Sequence, residues 1–339
     1  MNILLSRTDS IGDVILSLPM AGLIKEKYPH ARIVFLGKSY TREVINCDQY
    51  IDKFLDWDQI KLLEASAQVE TLKAEKIDVF VHVFPNKDIA KIALKAKIKL
   101  RIGTSHRLYH FLYCNHLIAF SRKKSDLHEA QLNIKLLKPL GIDYKGAWQQ
   151  LHSYYGFSKV PPIERHCQSM LSTDSMNIVL HPKSKGSARE WGFENFKRLI
   201  DIVLEKGARV FLTGTEEEGK LFRESLMRPH PNLIDTSGKM TLDRLISFIA
   251  NVDVLVAAST GPLHIAAATG TYAIGIYPPI HPIHPGRWSP IGIRTKVLVI
   301  DRPNCQECRH GESCNCMLQI KPEEVAAAIF ETNDYTNSN

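Results

Sequence analysis

Apolar positions along this chain alternate between short continuous runs and longer stretches with helical spacing. Residues 2–6 are mostly apolar and read as a buried strand, and a polar turn over residues 7–12 follows. From Val14 to Tyr28 the apolar residues Ile15, Leu18, Leu23 and Ile24 recur at roughly helical spacing, and Pro29 stops the helix. Residues 33–36 are strand-like again, with Gly37 closing them. Strand, turn, helix and strand at this spacing predict a βαβ unit.

The pattern repeats through the first half. Strands are predicted at 51–55, 77–84 and 100–102, and helices at about 60–76 and 87–97. A long amphipathic helix is expected from 126 to 138, ahead of Pro139 and Gly141. Residues 145–162, with mixed aromatics and the pair Pro161-Pro162, read as a crossover. The alternation restarts at Asn177, with strands at 178–180, 208–212, 252–256, 272–276 and 296–300. Helices fit 194–206, 216–227, 242–251 and 262–269, and no solenoid-type repeat is present. The predicted class is α/β, with two parallel-sheet domains at 1–160 and 161–321. A closing helix over 322–332 starts on Pro322 with Glu323 and Glu324 in its first turn, and a polar tail at 333–339 is expected to fray.

A chain of 339 residues is long enough for two such domains, and 44% hydrophobic with 23% charged residues excludes extensive disorder. No apolar run reaches the ~18 residues of a spanning helix. Arg7, Asp9 and Asp13 interrupt the first apolar stretch, so a secretory signal is not expected and the cytoplasm is. The net charge of +7 suits an anionic partner. Lys87, Lys91, Lys95, Lys97, Lys99, Arg101 and Arg107 lie close together in sequence, followed by Arg122, Lys123 and Lys124. They read either as a solvated helix face or as a surface for phosphorylated lipid headgroups, peripheral on the inner membrane. No aromatic-basic motif accompanies them, so nucleic acid is not an expected partner.

Three strand-to-helix junctions carry candidate chemistry. In Arg7-Thr8-Asp9-Ser10-Ile11-Gly12-Asp13, Gly12 permits a tight path and Asp13 falls in a first helical turn, where the dipole favours a carboxylate. Asp13 there is either a helix cap or a carboxylate aimed at substrate. The segment lacks G-x-G-x-x-G spacing, so it is not simply a dinucleotide cradle. The second junction, residues 181–191, holds Lys183, Ser184, Lys185, Gly186 and Arg189 ahead of a Trp191-Gly192-Phe193 anchor, a composition suited to a diphosphate clamp. The third, Ser259-Thr260-Gly261-Pro262-Leu263-His264, opens a helix whose backbone N–H groups and Thr260 hydroxyl would cradle an anion. His264 could equally be a core histidine.

Taken in order, these segments resemble glycosyltransferase family 9, the ADP-heptose lipopolysaccharide heptosyltransferases. Further matches are Arg101-Ile102-Gly103, residues 214–218, residues 238–242 and Tyr277-Pro278, so the resemblance runs from Ile3 to about Phe330. It implies a GT-B fold, two Rossmann-like domains facing each other across a cleft, the first binding acceptor and the second nucleotide-sugar. It further implies Asp13 as catalytic base and Ser10, Gly12, Arg101 and Arg107 on the acceptor side. Lys183, Ser184, Arg189, Glu218 (ribose), Met240 (base), Ser259, Thr260, Gly261, Pro262 and His264 are implied on the donor side. The implied reaction transfers heptose from ADP-heptose, with inversion, to an anionic lipid-linked saccharide of the lipopolysaccharide inner core. Alternatives are another nucleotide-sugar, nucleotide-sugar binding without turnover, or an epimerase, which the missing N-terminal fingerprint counts against. Ser259 departs from the family, which usually has Asp immediately before the Thr-Gly.

No metal or other cofactor is expected for the transfer. The D-x-D at Asp56-Trp57-Asp58 reads as a strand-to-helix turn. Cys305, Cys308, Cys314 and Cys316 could bind a structural zinc, although the closing C-x-C is unlike a usual knuckle; reduced thiols or a redox-labile pair are the alternatives. His281, His284, Arg287 and Trp288 sit on a proline-shaped loop that either borders the donor sugar or simply packs.

Overall fold

The computed structural model describes residues 1–122, 125–303, 305–310 and 315–331. It divides into two compact units, Met1–Lys159 and Val160–Asn339. In the first, the apolar runs become strands β1 (Asn2–Ser6), β2 (Arg32–Gly37), β3 (Lys53–Asp56), β4 (Val79–His82), β5 (Leu100–Thr104) and β6 (His116–Ile118). They pair in parallel in the order β3-β2-β1-β4-β5-β6. Helices α1 (Ile11–Ile15), α2 (Pro19–Lys27), α3 (Arg42–Asn46), α4 (Trp57–Ile60), α5 (Ala65–Ala74), α6 (Lys87–Lys95), α7 (His110–Tyr113) and α8 (Glu129–Ile134) connect them. Leu4, Val34, Leu36 and Phe80 from the sheet bury against Trp57, Ile60, Leu72, Ile89 and Ile92 on the helices.

The second unit repeats the plan. Its strands are β7 (Asn177–His181), β8 (Arg209–Leu212), β9 (Leu233–Asp235), β10 (Val254–Ala258), β11 (Tyr272–Ile276) and β12 (Thr295–Leu298). They pair in the order β12-β11-β10-β7-β8-β9, the same topology as the first sheet. The helices are α9 (Arg165–Met170), α10 (Phe193–Glu205), α11 (Glu216–Leu226), α12 (Leu242–Ile249), α13 (Gly261–Thr269), α14 (Pro285–Trp288), α15 (Gln306–His310), α16 (Asn315–Leu318) and α17 (Pro322–Phe330). Ile178, Val210, Val254 and Ile274 share one core with Phe196, Phe222, Val325 and Ile329. α17 is therefore built into this domain.

Two expected helices differ. The helix predicted over 14–28 breaks into α1 and α2, because Pro19 lacks an N–H and is placed where the missing donor costs least, at a helix start. The helix predicted over 126–138 is α8, capped by His128, and then a 3₁₀ segment over Lys135–Leu140 that contains Pro139. The edge strands β6 and β9 were not expected; at three residues each, they are too short to show a period. In each sheet the strand order reverses beside the first strand, between β1 and β4 and between β7 and β10. Ligands of doubly wound sheets bind beyond the strand ends at that point.

Candidate functional site

In the first unit, β1 delivers Arg7 to the switch point and Ser10 stands at the N-cap of α1. The Asp13 carboxylate does not cap its own helix. It accepts hydrogen bonds from Arg7 Nη2 at 2.5 Å and from the Ser10 hydroxyl. Arg7 is 2% exposed and also donates to Asp9 (2.9 and 3.0 Å), to Glu129 Oε1 (3.1 Å) and to Asn133 Oδ1 (2.7 Å). Arg122 pairs with Glu129 from another side and donates to the Val83 carbonyl. Three carboxylates thus converge on one enclosed guanidinium. Burial opposes the Arg7 charge, but Asp9, Asp13 and Glu129 overcome that and raise its pKa. Burial also pushes the Asp9 carboxyl up to about 6, against the pull of Arg7 and with the help of Asp13. The Asp13 and Asp9 side chains keep 19% and 18% exposure, whereas Arg7 and Glu129 are enclosed.

The other N-terminal candidates divide. Ser10 is exposed and bound to Asp13, while Gly12 is buried in α1. Arg101 turns its guanidinium onto backbone, donating from Nε to the Tyr113 carbonyl (2.8 Å) and from Nη1 to that of Ile98. Arg107 is exposed. Lys87, Lys91, Lys95, Lys97 and Lys99 are all exposed, whereas Arg122 is drawn into the Glu129 pair; Lys123 and Lys124 lie outside the described residues. Asp56 ends β3 and caps α4, accepting from the Asp58 N–H at 2.9 Å, with Trp57 buried beneath. That D-x-D is a strand-to-helix turn.

In the second unit, the loop after β7 is organised by Glu190. Its carboxylate accepts from Lys183 Nζ (2.6 Å), from the Ser184 N–H (3.1 Å) and from the Ser184 hydroxyl (3.1 Å). Lys185 and Gly186 follow with φ of 49° and 77°, a left-handed pair at the loop's tip. Trp191 fixes the far end, buried and donating from Nε1 to the Ile320 carbonyl at 2.9 Å.

Beside this loop, β10 leads into α13. Thr260 is the N-cap by backbone conformation, yet its side chain makes no capping bond; its hydroxyl is buried without a hydrogen-bond partner among the described residues. Pro262 occupies the first turn and His264 is buried behind it. Ser259, next in line, hydrogen-bonds the buried Tyr277 phenol, which donates to the Trp288 carbonyl at 2.6 Å. Trp288 Nε1 in turn donates to the Pro282 carbonyl at 2.9 Å, so this loop is internally packed. Glu218 forms a capping box, with Oε2 accepting the Thr215 N–H at 2.8 Å and the Thr215 hydroxyl accepting the Glu218 N–H. Its charge partly offsets the burial that lowers the pKa of His181, whose Nδ1 lies 3.1 Å from Thr213 Oγ1. Met240 is half-buried in the loop between β9 and α12.

Arg7, Glu129 and Asn133 were missed as site residues. Asp9 and Asp13 are near Arg7 in sequence, but Glu129 and Asn133, which complete its shell, lie more than a hundred positions away, beyond any local spacing.

Near the chain's end, Cys305, Cys308 and Cys316 bring their sulfurs within 4.8 Å of one another; Cys314 lies outside the described residues. Burial, then crowding by Cys308 and Cys305, pushes the Cys316 thiol up to about 12. Three converging thiols on a buried floor fit a tetrahedral thiolate-binding metal.

Comparison with known proteins settles the class. The model of glycosyltransferase family 9 (heptosyltransferase) matches residues 67–318. The chain belongs to that family. A Haemophilus influenzae protein named only as a glycosyltransferase is 27% identical, with 99% of each chain covered. The solved Escherichia coli ADP-heptose lipopolysaccharide heptosyltransferase II covers 100% of each chain at 17% identity and a TM-score of 0.76. The E. coli heptosyltransferase WaaC, solved with ADP, aligns over 98% of this chain and 99% of its own at 18% identity, with a TM-score of 0.71. This glycosyltransferase accordingly has the two-domain α/β architecture of the GT-B class.

Proposed function

We propose that this family 9 enzyme transfers heptose from ADP-heptose, with inversion and without a catalytic metal, to a lipid-linked saccharide of the lipopolysaccharide inner core. The observation that carries the reading is the Asp13 carboxylate, held by Arg7 and Ser10 at the switch point of the first sheet. Asp13 takes the proton of an acceptor hydroxyl as its oxygen bonds to the anomeric carbon. The bond from that carbon to the diphosphate breaks on the opposite face, and the nucleoside diphosphate leaves with the electron pair. A positioned base contributes roughly 10²–10⁴-fold to such a step.

The leaving charge is met in the second unit. The N–H groups opening α13 and the Thr260 hydroxyl donate to the diphosphate, with Lys183 and Arg189 supplying positive charge. Lys183 is already paired with Glu190, so the phosphate replaces or shares that carboxylate. Glu218 accepts from a ribose hydroxyl, Met240 lies beside the base, and Gly261, Pro262 and His264 shape the turn. On the acceptor side, Arg107 offers donors and the Ser10 hydroxyl, whose proton goes to Asp13, offers an acceptor oxygen, while Gly12 and Arg101 shape the backbone around them. The enzyme works in the cytoplasm, peripherally on the inner face of the membrane that holds its acceptor. Cys305, Cys308 and Cys316 hold a structural zinc; Cys314, the fourth thiol of the sequence motif, lies outside the described residues.

Ser259 favours a second reading. Its hydroxyl is bonded to Tyr277 where relatives usually place a carboxylate, so the donor is a related nucleotide-sugar that does not use that carboxylate.

Asp13→Asn is the test, with ADP binding followed by calorimetry and transfer to truncated lipid core by mass spectrometry over a panel of donors. The expected result is intact ADP affinity with transfer reduced about 10²-fold or more. Unchanged turnover would remove Asp13 from the role of base.

A further inference from the structure

Within the described residues, Leu108, Phe111 and Leu112 are 88%, 60% and 71% exposed, and they share one short stretch around α7. Single exposed apolar side chains are ordinary, but three large ones together are not. The segment is not a loose loop. On its inner side His110 is fully buried, and its Nδ1 lies 2.8 Å from the Thr104 carbonyl oxygen. Cys114 is buried and its N–H donates to the His110 carbonyl, while Arg101 holds the Tyr113 carbonyl. A Cβ on Gly103 would stand 2.8 Å from Cys114 Sγ and 2.9 Å from His110 Nδ1, so α7 sits this close to β5 only over a glycine. The anchored face points inward and the apolar face outward.

The anchor itself invites a metal reading, because His82, His110 and Cys114 lie within 4.8 Å of one another. The tautomer argues against it. His82 Nε2 accepts the Asn86 N–H at 3.0 Å, so in the neutral ring the proton is on Nδ1, the nitrogen left to serve as a ligand. The cluster is a packing anchor for α7.

Charge identifies what the outward face meets. Residues 84–122 contain eight Lys or Arg and one acid, Asp88. Lys87, Lys91, Lys95, Lys97, Lys99 and Arg107 are all exposed, and α6 packs directly on α7. A second copy of this chain would set this cationic surface against itself. An anionic bilayer complements it, taking apolar side chains into the acyl boundary and cations at the phosphates. The place in the fold agrees. α7 leaves the carboxyl end of β5, two strands from β1 in the same sheet and therefore about 10 Å along the rim from the strand that leads to Asp13.

We infer that residues 105–113 form a membrane-docking wedge, in which Leu108, Phe111 and Leu112 enter an anionic lipid surface beside Arg107 and the lysines of α6. This rests on the acceptor being lipid-linked: the wedge holds Asp13 near the headgroup level, where the sugar of such an acceptor stands.

The test uses the full chain and vesicles with and without phosphatidylglycerol in phosphatidylcholine. The variants are the triple Leu108→Ser/Phe111→Ser/Leu112→Ser and, as a control, Leu221→Ser, which alters a residue 59% exposed on the other unit. The parent and the control are expected to sediment with phosphatidylglycerol vesicles, and the triple variant to partition about tenfold less or lower still. Its ADP affinity and melting temperature should match the parent's, since the side chains removed are already in water. Equal vesicle binding by parent and triple variant would overturn the proposal. So would a parent that is dimeric in ultracentrifugation and becomes monomeric in the triple variant, because the face would then serve self-association. Neither readout needs turnover. A different donor, or failure of Asp13 as base, would leave the vesicle result standing, and failure of the vesicle result would leave transfer to a deacylated acceptor as the measure of the function.

Discussion

Arg7 Nη2 lies 2.5 Å from Asp13 Oδ1, and the same guanidinium, 2% exposed, holds Asp9, Glu129 and Asn133. One buried cation therefore fixes the direction of the candidate base and ties it to α8, a helix far away in sequence. Asp13 cannot swing without giving up its contacts with Arg7 and Ser10.

Arg7→Lys tests that positioning role. A lysine keeps the charge but cannot present a planar fork to several partners at once. We expect kcat to fall on the order of 10- to 100-fold, with donor KM and ADP affinity unchanged. Melting will fall too, so rates are to be compared well below the variant's own transition. A variant that loses stability alone, with kcat intact, would make Arg7 a purely structural residue.

Thr260→Val separates binding from folding in the second unit. The Thr260 hydroxyl is buried and makes no hydrogen bond among the described residues, a cost of about 1–3 kcal/mol to a ligand-free fold. Valine has nearly the same shape and no polar atom to leave unsatisfied. The ligand-free variant is expected to melt at the parent's temperature or above it, while its Kd for ADP rises about five- to tenfold. Scanning fluorimetry and calorimetry read the two effects. Parental ADP affinity in the variant would show that the hydroxyl faces no phosphate.

The contrast between Thr260 and Arg7 shows what one-dimensional pattern carries. Strand-turn-helix periodicity located both sheets, and the junctions after β1, β7 and β10 stood out because a few polar and glycine positions interrupt otherwise apolar runs. Thr260 could be read from its own neighbours, Gly261 and Pro262. Glu190 and Glu129 could not, because each matters through a partner chosen by folding. Glu190 was simply one charge on a charged loop until it proved to bind Lys183 and Ser184 together. Arg122 looked like part of a basic surface and instead closes on Glu129. Helix limits failed where proline acted locally, at Pro19 and Pro139, and edge strands failed because three residues show no period. The exposed face of α7 was equally illegible, since Leu108, Phe111 and Leu112 are as apolar as any core helix until the buried His110 shows which side faces in.

The cysteine cluster makes a prediction about metal and stability together. If Cys305, Cys308 and Cys316 hold an ion, protein purified under reducing conditions should carry about one equivalent of zinc by elemental analysis. Cys316→Ser should lose it. Because Cys308, Cys316 and Met317 belong to the same core as Trp191 and Phe196, chelation should lower the melting temperature of the parent and leave the variant unmoved. Metal-free parent protein that melts identically with and without chelator would leave the cluster as packed thiols.

A final prediction concerns pH. Asp48 is fully buried in the first unit, where Oδ1 accepts the Tyr50 N–H at 2.8 Å and Oδ2 has no hydrogen-bond partner among the described residues. The adjoining backbone, Gln49 N–H to the Gly156 carbonyl at 2.7 Å, pins residues 156–159 to the body of that unit. Burial pushes the Asp48 carboxyl up to about 6 from 3.8, outweighing the N–H groups of Tyr50 and Gly156 that favour its charge. A carboxyl raised in the folded state stabilises fully below its unfolded value, and that contribution is lost as pH climbs through the folded value. Stability from this group therefore declines between about pH 4 and 6. Asp48→Asn imitates the protonated form at every pH. It should melt like the parent near pH 4 and above it at pH 7.5, by about 1–3 kcal/mol or a few degrees. Asp9 titrates in the same window, so the quantity to plot is the difference between the two proteins, which cancels it. A difference that stays flat from pH 4 to 7.5 would mean that Asp48 enters the fold with its charge already accommodated.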